Sequence, residues 1–103
     1  MGKLSDKVCI VTGGGSGIGH AICEALAASG ARAVYVVDIN SDAAAQAAAS
    51  LVTFATHPNF RYGFGAADVG KEEDIQRVIH LAWSTFGSVD AYFSNAGILA
   101  LGR

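Results

Sequence analysis

The glycine-rich stretch from Thr12 to Gly19 carries the clearest chemical signal in this sequence of 103 residues. It has the sequence Thr-Gly-Gly-Gly-Ser-Gly-Ile-Gly, follows an apolar run and precedes a segment with helical spacing. Glycines leave backbone N–H groups open to an anion, and the helix that follows presents its positive N-terminus. The stretch therefore predicts a turn that binds phosphate, most naturally a pyrophosphate. The residues expected at this site are Gly13, Ser16, Gly17, Ile18 and Gly19.

The spacing of the glycines narrows the class of nucleotide site. A P-loop would end in Gly-Lys-Ser or Gly-Lys-Thr, which this turn lacks. In a Gly-x-Gly-x-x-Gly motif, the third glycine would fall on Ile18 or His20. The spacing that fits is Gly-x-x-x-Gly-x-Gly. A glycine cluster alone also marks ordinary loops, so the interpretation depends on the residues further along the chain.

Asp38 ends the next apolar run and lies nineteen residues after Gly19. An acidic side chain at about this spacing can accept hydrogen bonds from an adenosine ribose. A 2′-phosphate would meet like charge there, and neither Ser16 nor Ile39 supplies a cation, so the sequence favours NAD over NADP. The alternative is a solvated Asp38 that ends its strand or caps the helix near Ser41.

Two later strand ends carry further candidate residues. Asp68 can accept a hydrogen bond from the amine of an adenine ring, with Val69 packed nearby, or it can cap the helix that begins near Lys71. Asn95 can order the backbone beside a ribose, or it can be an ordinary turn residue. Ala96 and Gly97 complete that segment. Asp90 is expected to be structural.

Strand and helix patterns alternate along the chain and must position these residues. Apolar runs predict strands at Val8 to Thr12, Ala33 to Val37, Phe60 to Ala67 and Val89 to Ser94. Helical spacing predicts helices at Gly17 to Ser29, Ala43 to Leu51 and Lys71 to Phe86. The alternation predicts an α/β fold: a Rossmann-type, doubly wound parallel sheet in the order 3-2-1-4, with helices on both faces.

Single residues predict where three of the helices begin or end and where one strand is interrupted. Ser41 is the expected cap of the second helix, and Gly30 and Gly87 are expected to end the first and third helices. Gly63 and Gly65 interrupt the third strand and predict either an edge position or a close approach of backbone.

Composition limits the possible partners. The chain suits one domain, is 51% apolar and has a formal charge of -2 without a basic patch, so a small molecule is a better expected ligand than nucleic acid or an anionic membrane. No apolar run could span a bilayer, and the N-terminus lacks the apolar core of a signal peptide, so a cytoplasmic location is predicted.

The cysteines and histidines show no pattern of a disulfide framework or a metal site. Cys9 and Cys23 are expected to be small buried apolar residues. His20, His57 and His80 lie far apart and beside no other ligand at metal-binding spacing, so they are expected to be surface histidines.

Taken together, the motifs resemble the short-chain dehydrogenase/reductase family, a group of nicotinamide-dependent oxidoreductases. Thr12 to Gly19 is similar to the family's Thr-Gly-x-x-x-Gly-x-Gly motif, Asp38 to its NAD-selecting acid, and Asp68-Val69 to its adenine-pocket pair. The stretch from Phe86 to Gly97 is similar to the signature around the family's fourth strand. One departure is Ser94, where the family commonly has Asn.

The resemblance implies that residues 1–103 are the N-terminal part of an incomplete NAD-binding domain, truncated after the fourth strand. The family's catalytic Ser, its Tyr-x-x-x-Lys pair and its helical Asn all lie beyond that strand. No catalytic residue is therefore expected in this chain, and none of Tyr35, Tyr62 and Tyr92 is followed by Lys four positions later. Alone, the chain is expected to be inactive, with the edge of the fourth strand exposed.

The intact protein is expected to be an NAD-dependent alcohol or ketone oxidoreductase, and to form a homo-oligomer only with its C-terminal half. The alternative is a truncated protein that binds a nucleotide or a partner without catalysis. A methyltransferase is a more distant alternative, because its glycine turn is normally spaced differently.

Overall fold

A five-stranded sheet forms the centre of the computed structural model, which describes residues 5–15 and 17–94 in full and the backbone of 97–100. The strands are β1 (Val8–Thr12), β2 (Ala33–Asp38), β3 (Arg61–Ala66), β4 (Ala91–Ser94) and β5 (Gly97–Ala100). The helices are α1 (Gly17–Ala28), α2 (Ser41–Ser50), which continues into a 3-10 turn at Leu51–Thr53, and α3 (Glu72–Phe86). The strand order is β3-β2-β1-β4-β5, and the first four strands are parallel, so the predicted order 3-2-1-4 is confirmed.

The two central strands are buried on both faces, which explains their continuous apolar sequences. Every residue of β1 is buried, and so are the first five residues of β2. Cys9 and Val11 pack in one core with residues of α1 and α2, whereas Val8 and Ile10 pack in a second core with residues of α3. The sheet therefore separates two apolar cores, and neither face of β1 is available to a ligand.

Helices α1 and α3 end at glycines, as predicted. Gly30 has a φ of 94°, and the N–H of Ala31 donates to the carbonyl of Leu26 at 3.1 Å. Gly87 has a φ of 82°, and its N–H donates to the carbonyl of Trp83 at 2.8 Å. Residues with a side chain adopt such positive φ values at a cost, so glycine closes these helices without strain.

The predicted cap of α2 is wrong by one residue. Ser41 is the first residue of the helix, and the extended residue before it, Asn40, accepts a hydrogen bond from the N–H of Ala43 at 3.0 Å. The N-cap must have non-helical backbone angles, and Asn40 has them, with φ -96° and ψ 108°. Serine and asparagine are similarly good caps, so the residue types alone could not show which of these two adjacent positions is the N-cap.

Strand β3 lies at one edge of the sheet, as its glycines predicted. What approaches these glycines closely is a side chain and not another backbone, because a Cβ at Gly63 would lie 2.7 Å from the ring of Tyr35, and one at Gly65 would lie 3.1 Å from its hydroxyl oxygen. Both glycines therefore leave room for an aromatic side chain of the neighbouring strand.

The expectation that β4 has an exposed edge is wrong. Strand β5 pairs with it in antiparallel orientation, with Ser94 opposite Gly97 and Ala91 opposite Ala100. A parallel neighbour needs a crossover of a dozen or more residues, whereas only residues 95 and 96 separate these two strands. The only pairing that so short a connection allows is a hairpin.

Asp90 joins the beginnings of β1 and β4, in the structural role expected of it. Its carboxylate accepts a hydrogen bond from the N–H of Val8 at 2.8 Å, and its own N–H donates to the carbonyl of Val8 at the same distance.

In the described ranges, no helix is long and apolar enough to cross a membrane.

Both cysteines are buried, as predicted, and burial raises the pKa of each thiol to about 12. An unfolded thiol ionises near pH 9, so above that pH the unfolded chain releases protons that the folded chain retains. We therefore expect the free energy of unfolding to fall as the pH rises from about 9 towards 12. Urea unfolding at several pH values measures this decrease, which should be shallower in Cys23→Ala than in the parent. Equal slopes would contradict the burial of the Cys23 thiol.

Candidate cofactor site

A cavity of about 530 Å³ opens at the carboxyl ends of the four parallel strands. Residues at or just beyond each of these strand ends line it, including Gly13, Asp38, Asp68, Val69 and Ser94. The cavity lies where the strand order reverses between β1 and β4, which is where open α/β sheets bind their ligands. The structure thus brings four of the sequence-predicted site residues to one cleft: Gly13, Asp38, Asp68 and Val69.

The glycine turn connects β1 to α1 and is fixed by hydrogen bonds to the end of β2. The N–H of Gly14 donates to the carbonyl of Val37 at 3.1 Å, and the N–H of Gly15 donates to the Asp38 carboxylate at 3.0 Å. Because these two amides have acceptors within the protein, an anion must be bound by N–H groups further along. The first N–H groups of a helix have no intrahelical acceptor, and α1 offers them from Gly17 onward.

The geometry of the turn favours glycine at three positions, two by their backbone angles and one by close packing. Gly13 and Gly17 have positive φ values of 67° and 61°. Gly19 is buried against the turn, so a Cβ there would overlap the carbonyl oxygen of Gly13 and lie 2.6 Å from its carbon. Ile18 is 78% exposed, at the start of α1. Ser16 lies outside the described residues.

Asp38 holds the glycine turn and does not cap α2. One carboxylate oxygen accepts the N–H of Gly15, and the other accepts the N–H of Asn40 at 3.1 Å. A Cβ at Gly15 would lie 2.8 Å from that carboxylate and 2.8 Å from the Cβ of Ala43, so position 15 has no room for a side chain. Each carboxylate oxygen has two acceptor sites, so both can accept further hydrogen bonds from a ligand.

Asp68 forms a turn ahead of α3 and does not cap the helix with its side chain. Its carboxylate accepts the N–H of Gly70 at 2.9 Å, and its own N–H donates to the carboxylate of Asp74 at 2.9 Å. The N-cap position belongs to Lys71, which makes no side-chain capping bond. Val69 is 57% exposed, and Ile39, which lines the same cavity, is 74% exposed. Large apolar side chains exposed at a cavity are suited to contact a flat apolar ligand.

Tyr92 lines the same cavity, although no sequence motif predicted it to be a site residue. It lies within β4, opposite Ile10 of β1, and is 8% exposed. Burial raises the pKa of its hydroxyl, so the phenol is uncharged near neutral pH. The available signal was strand alternation, which puts Tyr92 on the same face of β4 as Ser94.

The structure describes only part of the predicted site segment from Asn95 to Gly97. Asn95 and Ala96 lie outside the described residues, and Gly97 is described only as the first backbone position of β5. The predicted contacts of this segment with a ribose remain predictions.

Outside the cleft, one cluster has the residue types of a catalytic triad but not its geometry. The same ring nitrogen of His20 lies 3.2 Å from the Ser50 hydroxyl and 3.5 Å from the Glu24 carboxylate. The Ser50 hydroxyl donates to the carbonyl of Ala47. A nucleophile relay requires the serine and the acid to contact different ring nitrogens, so this cluster joins α1 to α2 without activating Ser50.

Nothing in the described ranges suggests a bound metal. No group of three His, Cys, Asp or Glu side chains there could hold an ion. Of the three histidines, His80 is exposed as predicted, whereas His20 and His57 are partly buried. His57 lies 2.8 Å from the Asp6 carboxylate, so its burial has a structural explanation.

Comparison with known proteins agrees with this geometry. The family model described as short chain dehydrogenase matches residues 7–103. Over 98 residues, the chain is 43% identical to 2,5-dichloro-2,5-cyclohexadiene-1,4-diol dehydrogenase of Sphingobium indicum, covering 95% of this chain and 36% of that protein. It is 41% identical over 97 residues to (+)-cis,cis-nepetalactol synthase of Nepeta racemosa, covering 94% of this chain and 34% of that protein.

Among solved structures, the chain is similar to L-sorbose reductase from Gluconobacter frateurii, which was crystallised with NADPH and L-sorbose. The TM-score is 0.75 at 36% sequence identity, and the match covers 86% of this chain and 32% of that one. The chain thus spans about a third of the length of the relatives that it matches.

Proposed function

Because this chain belongs to the short chain dehydrogenase family, we propose that it binds a nicotinamide dinucleotide, with NAD preferred over NADP. We further propose that it is the N-terminal cofactor-binding part of an oxidoreductase acting on an alcohol or ketone group of a small molecule. One observation carries this proposal: the glycine turn, Asp38 and the Asp68-Val69 pair lie around one cavity at the carboxyl ends of parallel strands.

Each part of the dinucleotide has a matching part of the cleft. The pyrophosphate fits against the first N–H groups of α1, with Gly13, Ser16, Gly17, Ile18 and Gly19 around it. The hydroxyls of the adenosine ribose fit the free acceptor sites of Asp38. The adenine ring fits between Ile39 and Val69, and its amine can donate to Asp68. Asn95, Ala96 and Gly97 are proposed to lie beside a ribose.

The preference for NAD rests on the charge of Asp38. A 2′-phosphate on the ribose would approach this carboxylate, and among the described residues that line the cavity none is Lys or Arg. Position 15 cannot supply a cation either, because Ala43 and Asp38 fill the space that a side chain would need. L-sorbose reductase, a similar protein, was crystallised with NADPH, so the proposed preference for NAD rests on Asp38 alone.

The chemistry divides between the cofactor and the protein. The nicotinamide ring, when bound, supplies or accepts the hydride. The residues of this chain bind the dinucleotide, orient it and exclude a 2′-phosphate. The proton donor is proposed to be a Tyr-x-x-x-Lys pair, assisted by a Ser, C-terminal to residue 103. We also propose a cytoplasmic location, and we expect that a homo-oligomer would require that C-terminal part.

The test is cofactor binding and turnover by the protein expressed from its complete gene. We expect saturable enhancement of NADH fluorescence at micromolar concentrations, and reduction of NAD with a member of a panel of small secondary alcohols. Binding without turnover, from a gene that encodes no Tyr-x-x-x-Lys, would favour a non-catalytic nucleotide-binding protein. Failure to bind either NADH or NADPH would overturn the proposal.

A further inference from the structure

The turn that carries Asp68 and Val69 is tied to the first turn of α3 by a side chain from outside the cavity wall. The carboxylate of Asp74 accepts the N–H of Asp68 at 2.9 Å, in a partly buried hydrogen bond. Asp74 is not among the described residues that line the cavity. The bond therefore connects the helix to the backbone of a proposed site residue, and Asp74 itself need not contact a ligand.

Arg77 orients the carboxylate of Asp74. Its guanidinium nitrogen Nη2 lies 3.7 Å from one oxygen of this carboxylate, while the other oxygen accepts the N–H of Asp68. The same nitrogen donates to the carbonyl of Ala66, the last residue of β3, at 3.1 Å. An exposed ion pair contributes little stability by itself. Its effect here is to keep the Asp74 carboxylate beside the turn that follows β3.

The other hydrogen bonds of this turn are made within it. The N–H of Gly70 donates to the Asp68 carboxylate at 2.9 Å, and the N–H of Lys71 donates to the Asp68 carbonyl at 3.0 Å. These bonds set the shape of the turn, whereas the bond to Asp74 ties the backbone of Asp68 to the helix. A partly buried N–H that loses its acceptor is costly to leave unpaired. Without the Asp74 carboxylate, the turn would have to move until this N–H reached water.

Building on the proposed dinucleotide site, we propose that Asp74 is a positioning residue for the adenine end of the cofactor: by accepting the N–H of Asp68, it holds Asp68 and Val69 at the cavity wall. Movement of the turn would displace both residues from the adenine ring. The nicotinamide end is proposed to bind elsewhere in the cleft, so its affinity should not depend on Asp74.

The test measures the affinity of each half of the dinucleotide for the protein expressed from its complete gene. ADP-ribose carries the adenine and nicotinamide mononucleotide carries the nicotinamide, and each is titrated as a competitor that displaces fluorescent NADH. In Asp74→Ala, the inhibition constant of ADP-ribose should rise about tenfold, the equivalent of one hydrogen bond, while that of nicotinamide mononucleotide stays within about twofold of the parent value.

Two variants in the same turn of α3 are the controls. Asp74→Asn keeps an oxygen that can accept the N–H of Asp68, so it should retain most of the affinity for ADP-ribose. Equal losses in Asp74→Asn and Asp74→Ala would contradict the hydrogen bond as the cause. Glu73→Ala removes an exposed carboxylate from the adjacent position and should bind both competitors as the parent does.

The outcomes separate this inference from the proposed function. If the parent binds neither NADH nor NADPH, both fail. If the parent binds NADH, and Asp74→Ala either keeps the parent's affinity for ADP-ribose or loses affinity for both competitors equally, only the role of Asp74 is overturned. Thermal unfolding checks the folding of each variant.

Arg77→Gln takes the place of Asp74→Ala if the alanine variant does not fold. It leaves the Asp74 carboxylate in place but removes the ion pair that orients it. The inhibition constant of ADP-ribose should then rise about threefold, with that of nicotinamide mononucleotide unchanged. An unchanged value for ADP-ribose would overturn the inference.

Discussion

Replacing Gly19 with alanine is expected to lower the free energy of unfolding by about 3 kcal/mol and to weaken NADH binding by about a hundredfold. The added Cβ would overlap the carbonyl oxygen of Gly13 and lie 3.1 Å from the Cα of Gly14. These are backbone atoms, so no rotamer change can relieve the contact and the turn must move away from α1. A hundredfold loss corresponds to about two hydrogen bonds between backbone N–H groups and a charged pyrophosphate.

The matched control is Gly17→Ala, two positions earlier in the same helix. A Cβ at Gly17 would have no atom within 4 Å, so its only cost is the positive φ of 61°, about 1 kcal/mol. Urea unfolding and NADH titration of both variants give the comparison. The close packing of the turn on α1 is contradicted if Gly19→Ala has the same free energy of unfolding and the same NADH affinity as the parent. It is also contradicted if these two quantities change less in Gly19→Ala than in Gly17→Ala.

Removing the charge of Asp38 is expected to abolish the preference for NAD. The parent should bind NADH about a hundredfold more tightly than NADPH, because the 2′-phosphate would approach a carboxylate with no cation among the described cavity residues. In Asp38→Ala, we expect about tenfold weaker NADH binding, from the lost ribose acceptors, and tighter NADPH binding. The ratio of the two affinities should then approach one.

Two further variants complete the comparison. One separates the charge of Asp38 from its hydrogen bonding, and the other is a control. Asp38→Asn keeps one oxygen acceptor and removes the charge, so it should retain more NADH affinity than Asp38→Ala while still gaining NADPH affinity. Asp42→Asn removes an exposed charge from the first turn of α2 and should leave both affinities unchanged. Titration of NADH and NADPH into all four proteins measures these effects. Equal affinities of the parent for the two cofactors would contradict the role proposed for Asp38.

The main fold could be predicted because its signals are local and repeated. The buried strands β1 and β2 have continuous apolar sequences up to Asp38, and α3 has Val78, Ala82 and Phe86 at four-residue intervals on its buried face. The cap of α2 could not be assigned with the same certainty, since Asn40 and Ser41 are adjacent and chemically similar caps. The pairing of β5 with β4 was missed because the run Gly97–Ala100 has only four residues, too few for its pattern to indicate a strand.

The candidate site, like the fold, could be predicted from the sequence only in part. Residues at strand ends could be placed at one edge because all parallel strands end there, and the cavity has Gly13, Asp38, Asp68 and Val69 along its wall. Contacts that depend on the path of a turn could not be predicted, such as the hydrogen bond from the Gly15 N–H to Asp38. Tyr92 was missed because its backbone lies within a strand, while its long side chain extends to the strand end.

The hydrogen bonds from Gly14 and Gly15 to the end of β2 make the anion turn and the ribose acceptor a single preorganised unit. Folding has already removed the conformational entropy of the turn, so a ligand would not have to order it on binding. Association should then approach rigid-body docking, with little change in backbone conformation between the free and bound states. A substitution of Asp38 that removes its hydrogen bond with Gly15 would also loosen the anion turn. Because both cofactors carry the pyrophosphate, this loss of affinity would be common to NADH and NADPH and would leave their ratio unchanged.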